Sequence, residues 1–183
     1  MADREIAASI LESCRCGDRD AFRALYEAYK DKVYSICLYF FHGDAAEAAD
    51  VTQEVFLKLF AGVAGFRGDA GFSTWLYRLV QNACLDRSRS KAARTRAVEA
   101  ASDTFATQED DLIRRQSEQT VQQAVSALPA KFRLPILLRY FEELSYEEMS
   151  AALNCSMGTV ASRLNRAHKL LAKLLPMRGG RDV

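Results

Sequence analysis

The stretch from Leu144 to Leu175, LSYEEMSAALNCSMGTVASRLNRAHKLLAKLL, leaves few folds open. Ser145 and Glu148 stand three apart, as the two halves of a capping box do. Tyr146, Met149, Ala152 and Leu153 then repeat at helical spacing and predict a short helix with one buried face. Asn154-Cys155-Ser156 interrupts the pattern with turn-forming residues. A second helix is predicted from about Met157. Val160, Leu164, Ala167 and Leu171 step by four, three and four into one apolar stripe. Ser162, Arg166, Lys169 and Lys173 take the same steps on the other side, with Ala161 and Asn165 beside them.

Two helices, a tight turn and an exposed basic second helix make the helix-turn-helix pattern. One helix fits the major groove of B-form DNA. From there Arg bonds guanine in bidentate fashion, Asn bonds adenine and Ser bonds either. The competing reading is an ordinary helical hairpin with a solvated basic face. The tight turn and the nearly acid-free second helix favour DNA.

Composition narrows the rest. The 183 residues are 49% apolar, and 9 Gly and 3 Pro are too few for a turn-rich β protein. The expectation is an all-α chain. The net charge of +1 conceals two basic islands. One holds Arg163, Arg166, Lys169, Lys173, Arg178 and Arg181 against Asp182; the other holds Arg78, Arg87, Arg89, Lys91, Arg94 and Arg96 against Asp86. Two islands predict two separate phosphate contacts.

Five cysteines (Cys14, Cys16, Cys37, Cys84 and Cys155) contain no Cys-x-x-Cys pair, and only His42 and His168 add imidazole. No zinc site or cofactor is expected. The odd count fits a reducing compartment, with Cys37, Cys84 and Cys155 as small core residues. The N-terminus lacks the order of a signal peptide, and no apolar run is long enough to cross a membrane. A cytoplasmic protein without membrane insertion is expected.

Helical periodicity recurs along the chain: Asp3 to Cys16, Asp20 to Phe41, Ala45 to Ala61, Ser73 (as a cap) to about Lys91, Asp111 to Leu128, and a helix opened by Pro129. Pro135 is expected to kink that last helix or displace its start. His42-Gly43-Asp44 reads as a turn, and Gly62 to Gly71 as a glycine-rich loop. Periodicity is lost after Ala92, which suggests two small helical domains and a flexible linker: 1–92, linker 93–110, and 111–178.

Phe66 to Arg96 is the second informative stretch. An aromatic, glycine-rich loop runs into a helix bearing Trp75, Tyr77, Arg78, Gln81 and Asn82, then into basic residues. Aromatics beside arginines suit unpaired bases, with rings stacking on bases and arginines holding phosphates. The competing reading makes Phe72, Trp75 and Leu79 plain core. Nothing in the chain pairs a nucleophile with a base, cradles a phosphate before a Lys, or clusters metal ligands, so no enzyme is expected.

Three segments together resemble the extracytoplasmic-function (ECF) sigma factors of bacterial RNA polymerase, the compact two-domain group. DVTQEVFLKLF at Asp50 to Phe60 is similar to the segment that binds the β′ clamp helices. FRGDAGFSTWLYRLVQNACLD at Phe66 to Asp86 is similar to the loop and helix that melt and read the −10 element. LSYEEMSAALNCSMGTVASRLNRAHKLL at Leu144 to Leu171 is similar to the −35-binding helix-turn-helix.

The resemblance implies an alternative-sigma initiation factor with core RNA polymerase (β′ clamp helices and β flap), promoter DNA and an anti-sigma factor as partners. Asp50, Gln53, Glu54 and Phe56 would face polymerase. Phe66, Arg67, Phe72 and Trp75 would handle the −10 strand, with Asn82 helping to choose a flipped base and Arg78, Arg87 and Arg89 near phosphates. Ser156, Gly158, Thr159 and Ser162 would face the −35 duplex, together with Arg163, Asn165, Arg166 and Lys169. Four positions depart from the family pattern: Ala161 and His168, where basic residues are common, Glu143 in place of Gly, and Pro135. The alternative is a stand-alone helix-turn-helix regulator on operator DNA, which leaves Phe66 to Arg96 without a role.

Overall fold

The computed structural model describes residues 2–68, 71–99 and 121–175, and every regular element among them is helical. Helices α1 (Ala2–Arg15), α2 (Arg19–Phe40), α3 (Ala45–Gly62) and α4 (Phe72–Glu99) form the first unit, with a 3-10 turn at Val63–Gly65. Helix α5, described over 121–126, and helices α6 (Ala130–Phe141), α7 (Tyr146–Ala152) and α8 (Met157–Leu174) form the second. Helix α2 packs on α1 and α3, and α4 packs on α3; in the second unit α6 packs on α8 and α7 on α8. The units also touch each other, α2 against α6 and α4 against α7.

Local chemistry sets the boundaries. Asp18 accepts from the backbone N–H of Asp20 at 2.8 Å and of Ala21 at 3.3 Å, which starts α2. Asp44 starts α3 through the Glu47 N–H at 3.0 Å. Leu25, Tyr29, Val33, Ile36 and Phe40 are the buried stripe of α2, in the steps of three and four the sequence shows. Val51, Val55 and Leu59 of α3 are fully buried against it. The predicted turn at His42 and Gly43 is real, with φ of 62° and 83°. Cys37, on α2, and Cys84, on α4, are buried side by side, and their mutual hydrogen bond together with burial pushes the Cys84 thiol well up. Both are small core residues as expected; Cys155 is half-buried.

The capping box is complete. The Ser145 Oγ accepts from the Glu148 N–H at 3.1 Å, and the Glu148 carboxylate accepts from the Ser145 N–H at 2.9 Å. Ser145→Ala is expected to lower the unfolding free energy by about 0.5–2 kcal/mol, read by urea denaturation. Glu143, two residues earlier, has a φ of 51°. That left-handed backbone explains why glycine suits this position.

Several expectations are corrected. Ser73 is not a cap: α4 begins at Phe72, and the Trp75 N–H already bonds the Gly71 carbonyl at 3.1 Å. The expected end near Lys91 is too early, and so is the start of the linker at 93, because α4 continues to Glu99. Its small residues Ala92 and Ala93 are good helix formers and extend the helix without an apolar stripe. Pro129 lies one place before the first helical residue, and its carbonyl accepts from the Phe132 and Arg133 N–H groups at 2.8 and 3.0 Å. Of the two effects expected of Pro135, a displaced start does not occur: it sits buried in the interior of α6, without the N–H that would reach the Lys131 carbonyl. The linker from residue 100 to 110, the expected helix over 111–120, and Arg178 and Arg181 lie outside the described residues.

Candidate nucleic-acid interface

Helix α8 presents its two stripes as expected. Val160, Leu164 and Ala167 are buried, while Ser162, Asn165, Arg166 and Lys169 are exposed. The Ser156 Oγ caps α8 through the Thr159 N–H at 3.2 Å and also bonds the Thr159 hydroxyl at 2.9 Å. Arg163 is half-buried and leans on the Cys155 sulfur at 3.8 Å, bracing the turn. A polar notch of about 380 Å³ opens at this end, lined by Lys131, Ser156, Thr159, Ser162, Arg163 and Arg166. Gly158 also lines it, and a Cβ there would meet nothing nearer than the Ser156 Oγ at 3.9 Å. Internal packing therefore does not require a glycine, and the open space belongs to the notch. Lys131 comes from α6, outside the motif, and motif spacing gave no signal for it.

Two departures from the family pattern have local causes or consequences. The His168 Nε2 pairs with the Tyr140 hydroxyl at 3.0 Å and its ring sits 5.9 Å from the Tyr140 ring. It braces α8 on α6, a task an arginine would not perform in the same way. Ala161 is exposed beside the polar stripe of α8 and offers no donor.

The aromatic loop folds onto α4. Phe66 lies 5.1 Å from Trp75 and 6.0 Å from Phe72, ring centre to ring centre. Phe72 is buried against Tyr29 at 5.4 Å, so it is core rather than an open stacking surface. Phe66 and Trp75 are half-buried, and the Trp75 ring rests on Gly62, where a Cβ would come within 3.3 Å of it. Arg15 of α1 donates to the Phe66 carbonyl and stacks over its ring at 5.8 Å. The plain-core reading thus holds for Phe72, while Phe66 and Trp75 stay partly accessible. Arg67 and Asn82 are exposed.

The arginines of α4 are occupied unequally. Arg87 is paired with Glu47 at 3.3 Å and lies 3.9 Å from Glu54, both on α3. Arg89 pairs with Asp86 at 3.2 Å on an exposed surface. Arg78 donates to the Ala151 carbonyl of α7 at 2.8 and 3.2 Å.

On α3, Asp50 and Gln53 are exposed and Glu54 is half-buried, bonded to Lys58 at 2.7 Å. Phe56 corrects the sequence reading of this face. It is 3% exposed, held edge-on by Tyr26 at 4.8 Å, and so lies beneath the surface. The side chain that stands out is Leu57, 60% exposed, which the sequence reading missed because it lies off the α3 core stripe. With Tyr26, Tyr34, Gln53, Phe56 and Phe60 it lines a groove of about 490 Å³ between α2 and α3.

The family model for Sigma-70 region 2 matches residues 25–94, and that for Sigma-70, region 4 matches residues 118–171. The chain is 35% identical to the ECF RNA polymerase sigma factor SigW of Bacillus subtilis, over 90% of this chain and 94% of that protein. The chain belongs to the ECF sigma factors. The sigma factor is also 33% identical to the RNA polymerase sigma-H factor of Pseudomonas aeruginosa, over 96% of each chain. Its fold is that of RpoE in complex with the anti-sigma factor NepR from Bartonella quintana (TM-score 0.70, 21% identity, 86% of this chain and 98% of that one). It is likewise that of CnrH in complex with the cytosolic domain of CnrY (TM-score 0.70, 23% identity, 98% of this chain and all of the other). The sigma factor is an alternative-sigma transcription initiation factor, a class that acts with RNA polymerase rather than as a catalyst. No described helix is long and apolar enough to cross a membrane.

Proposed function

We propose that the sigma factor divides promoter recognition between its units. The second unit reads the −35 duplex with α8, and the first captures the −10 strand with the Phe66 loop and α4 and docks on polymerase through α3. The observation that carries this is the exposed polar stripe of α8 beside a basic notch fed by a second helix. Arg166, Asn165 and Ser162 supply base-edge chemistry, while Lys131, Lys169 and Arg163 lie where phosphates pass. The absence of a side chain at Gly158 lets a nucleic-acid backbone come close.

In the first unit, Phe66 and Trp75 form a half-open aromatic platform, with Arg67 and Asn82 exposed near it. Such a platform suits an unstacked base, and strand opening is driven by capturing bases at a few kcal/mol each. The α3 face, with Gln53, Leu57 and Phe60 lining the groove and Asp50 exposed on the same helix, offers a β′ clamp-helix partner an apolar cleft edged by Asp31 and Lys30. Phe56 supports that cleft from below. The β flap is the partner for the second unit. Action on RNA polymerase places the protein in the cytoplasm, and no enzymatic activity is assigned. An anti-sigma protein covering these faces is the expected regulator, by analogy with the two similar structures.

Asn82→Ala is expected to change preference at one −10 base in a transcription assay while leaving core polymerase binding intact. Loss of polymerase binding instead would make Asn82 a structural residue.

A further inference from the structure

The match to Sigma-70 region 2 begins at residue 25, yet Arg15, in the last turn of α1, is joined to the aromatic loop 51 residues further along the chain. Its Nη2 donates to the Phe66 carbonyl, and its guanidinium lies over the Phe66 ring, 5.8 Å from the centre. Trp75 approaches the same ring at 5.1 Å, tilted by 37°. Phe66 thus has a cation and an indole against its ring, and its backbone is tied as well. The flanks of the loop have little packing of their own: a Cβ at Gly65 or Gly68 would meet nothing within 4 Å.

The arm that carries the guanidinium is fixed. The Asp18 N–H bonds the Ser13 carbonyl at 3.1 Å and the Gly17 N–H bonds the Cys14 carbonyl at 3.0 Å, with Gly17 at a φ of 81°. That is a Schellman ending, and Arg15 is its last helical residue. Asp18 also caps α2, so the two helices share one corner. Leu11 and Cys14 are buried and hold α1 on the first unit. The Arg15 Nη1 is paired with Glu12 at 2.9 Å, which orients the fork. The Arg15 side chain is 32% exposed and that of Glu12 68%, and pairs so open to water add little to stability. The contribution of Arg15 therefore lies in where it holds Phe66 rather than in holding the fold.

We propose that Arg15 is a positioning residue for −10 recognition: it sets the ring and backbone of Phe66 so that an unstacked base meets a platform already formed. A loop fixed in its binding conformation spares the ordering cost at the moment of binding. The −10 reader then extends into α1, beyond the segment the family model matches. The proposal rests on the reading of the Phe66 loop as the strand-capturing platform.

The test uses the full chain, with Arg15→Ala, Arg15→Lys and, alongside, Phe66→Ala. Each variant is combined with core polymerase, and binding to a labelled non-template −10 strand and to a −35 duplex is titrated. Trp75 is the single tryptophan of the chain, so its fluorescence in the free protein reports the platform directly. Arg15→Ala is expected to weaken −10 strand binding about tenfold, the effect of losing one hydrogen bond from a charged donor, and to shift the Trp75 emission. The −35 affinity and the urea midpoint are expected to stay near those of the wild type. Arg15→Lys keeps a cation and a donor on the same arm and is expected to restore most of the affinity and the emission. An Arg15→Ala protein with wild-type −10 affinity overturns the proposal. So does one that loses −10 binding, −35 binding and stability together, which makes the residue structural. Phe66→Ala separates the two ideas: if it weakens strand binding while Arg15→Ala does not, only the role of Arg15 fails. If neither variant weakens it, the platform reading itself fails.

Discussion

Arg133→Met is expected to lower the unfolding free energy by about 3 kcal/mol or more, because several acceptors lose their donor at once. Arg133 is 7% exposed and donates to the Phe40, Val125, Ser126 and Leu128 carbonyls. Its guanidinium also stacks over the Phe40 ring at 5.4 Å. Methionine fills much of the volume and donates nothing, so the Phe40, Ser126 and Leu128 carbonyls lose their donor, while the Val125 carbonyl keeps the Leu128 N–H at 3.1 Å. Removing a buried charge returns some desolvation energy, which is why the estimate stays below the sum over the three orphaned acceptors. Against a total stability of about 5–15 kcal/mol the effect is large, and urea unfolding measures it directly. A loss below about 1 kcal/mol would mean that water replaces the guanidinium without strain.

His42 adds a pH dependence at the same place. Its imidazole is held below the ordinary value of 6.5, first by burial, then by the positive charges of Arg133 on α6 and Lys91 on α4. With the folded value depressed, the unfolded chain takes up the proton first as pH falls. The contribution is fully present above about pH 6.5 and is lost on acidification below it. The urea midpoint is expected to fall between about pH 7 and pH 5.5, and less steeply in Arg133→Met, where one repelling charge is gone.

Arg166→Ala carries the second large effect, on binding. Arg166 is exposed on the polar stripe of α8 and lines the notch shared with Lys131. Its loss is expected to weaken −35 duplex binding by about 1–3 kcal/mol, a drop of one to two orders of magnitude, and to relax specificity at one base pair. Lys131→Ala should instead weaken binding evenly across sequences and reduce the salt slope by about one. Titration of labelled duplexes at several salt concentrations distinguishes the two. An Arg166→Ala protein with wild-type affinity and base preference would remove that residue from the interface.

The helices and their starts were legible because the information is local. Asp18, Asp44, Ser145 and Ser156 each cap the helix that their position announces, and the stripes of α2, α3 and α8 are buried in the register their spacing shows. The exposed half of α8 was legible for the same reason. Phe56 and Phe72 were not, since their burial depends on Tyr26 and Tyr29 of another helix, and local spacing does not carry that contact. Arg133 gave no signal at all: inside the run FRLPILL it reads as a stray surface charge, and only the fold brings four carbonyls around it. The partners of Arg78 lie some seventy residues away, beyond any motif. The functional assignment came from the order of three motifs rather than from any single residue.

The central claim is promoter-directed initiation split between the two units, and run-off transcription tests it most directly. The purified sigma factor and core polymerase are placed on a promoter library, with polymerase alone and protein alone as controls. Start sites that appear only when both are present, and that share a −10 and a −35 element, are the predicted result. Tight duplex binding by the protein alone, with no initiation when polymerase is added, would contradict it.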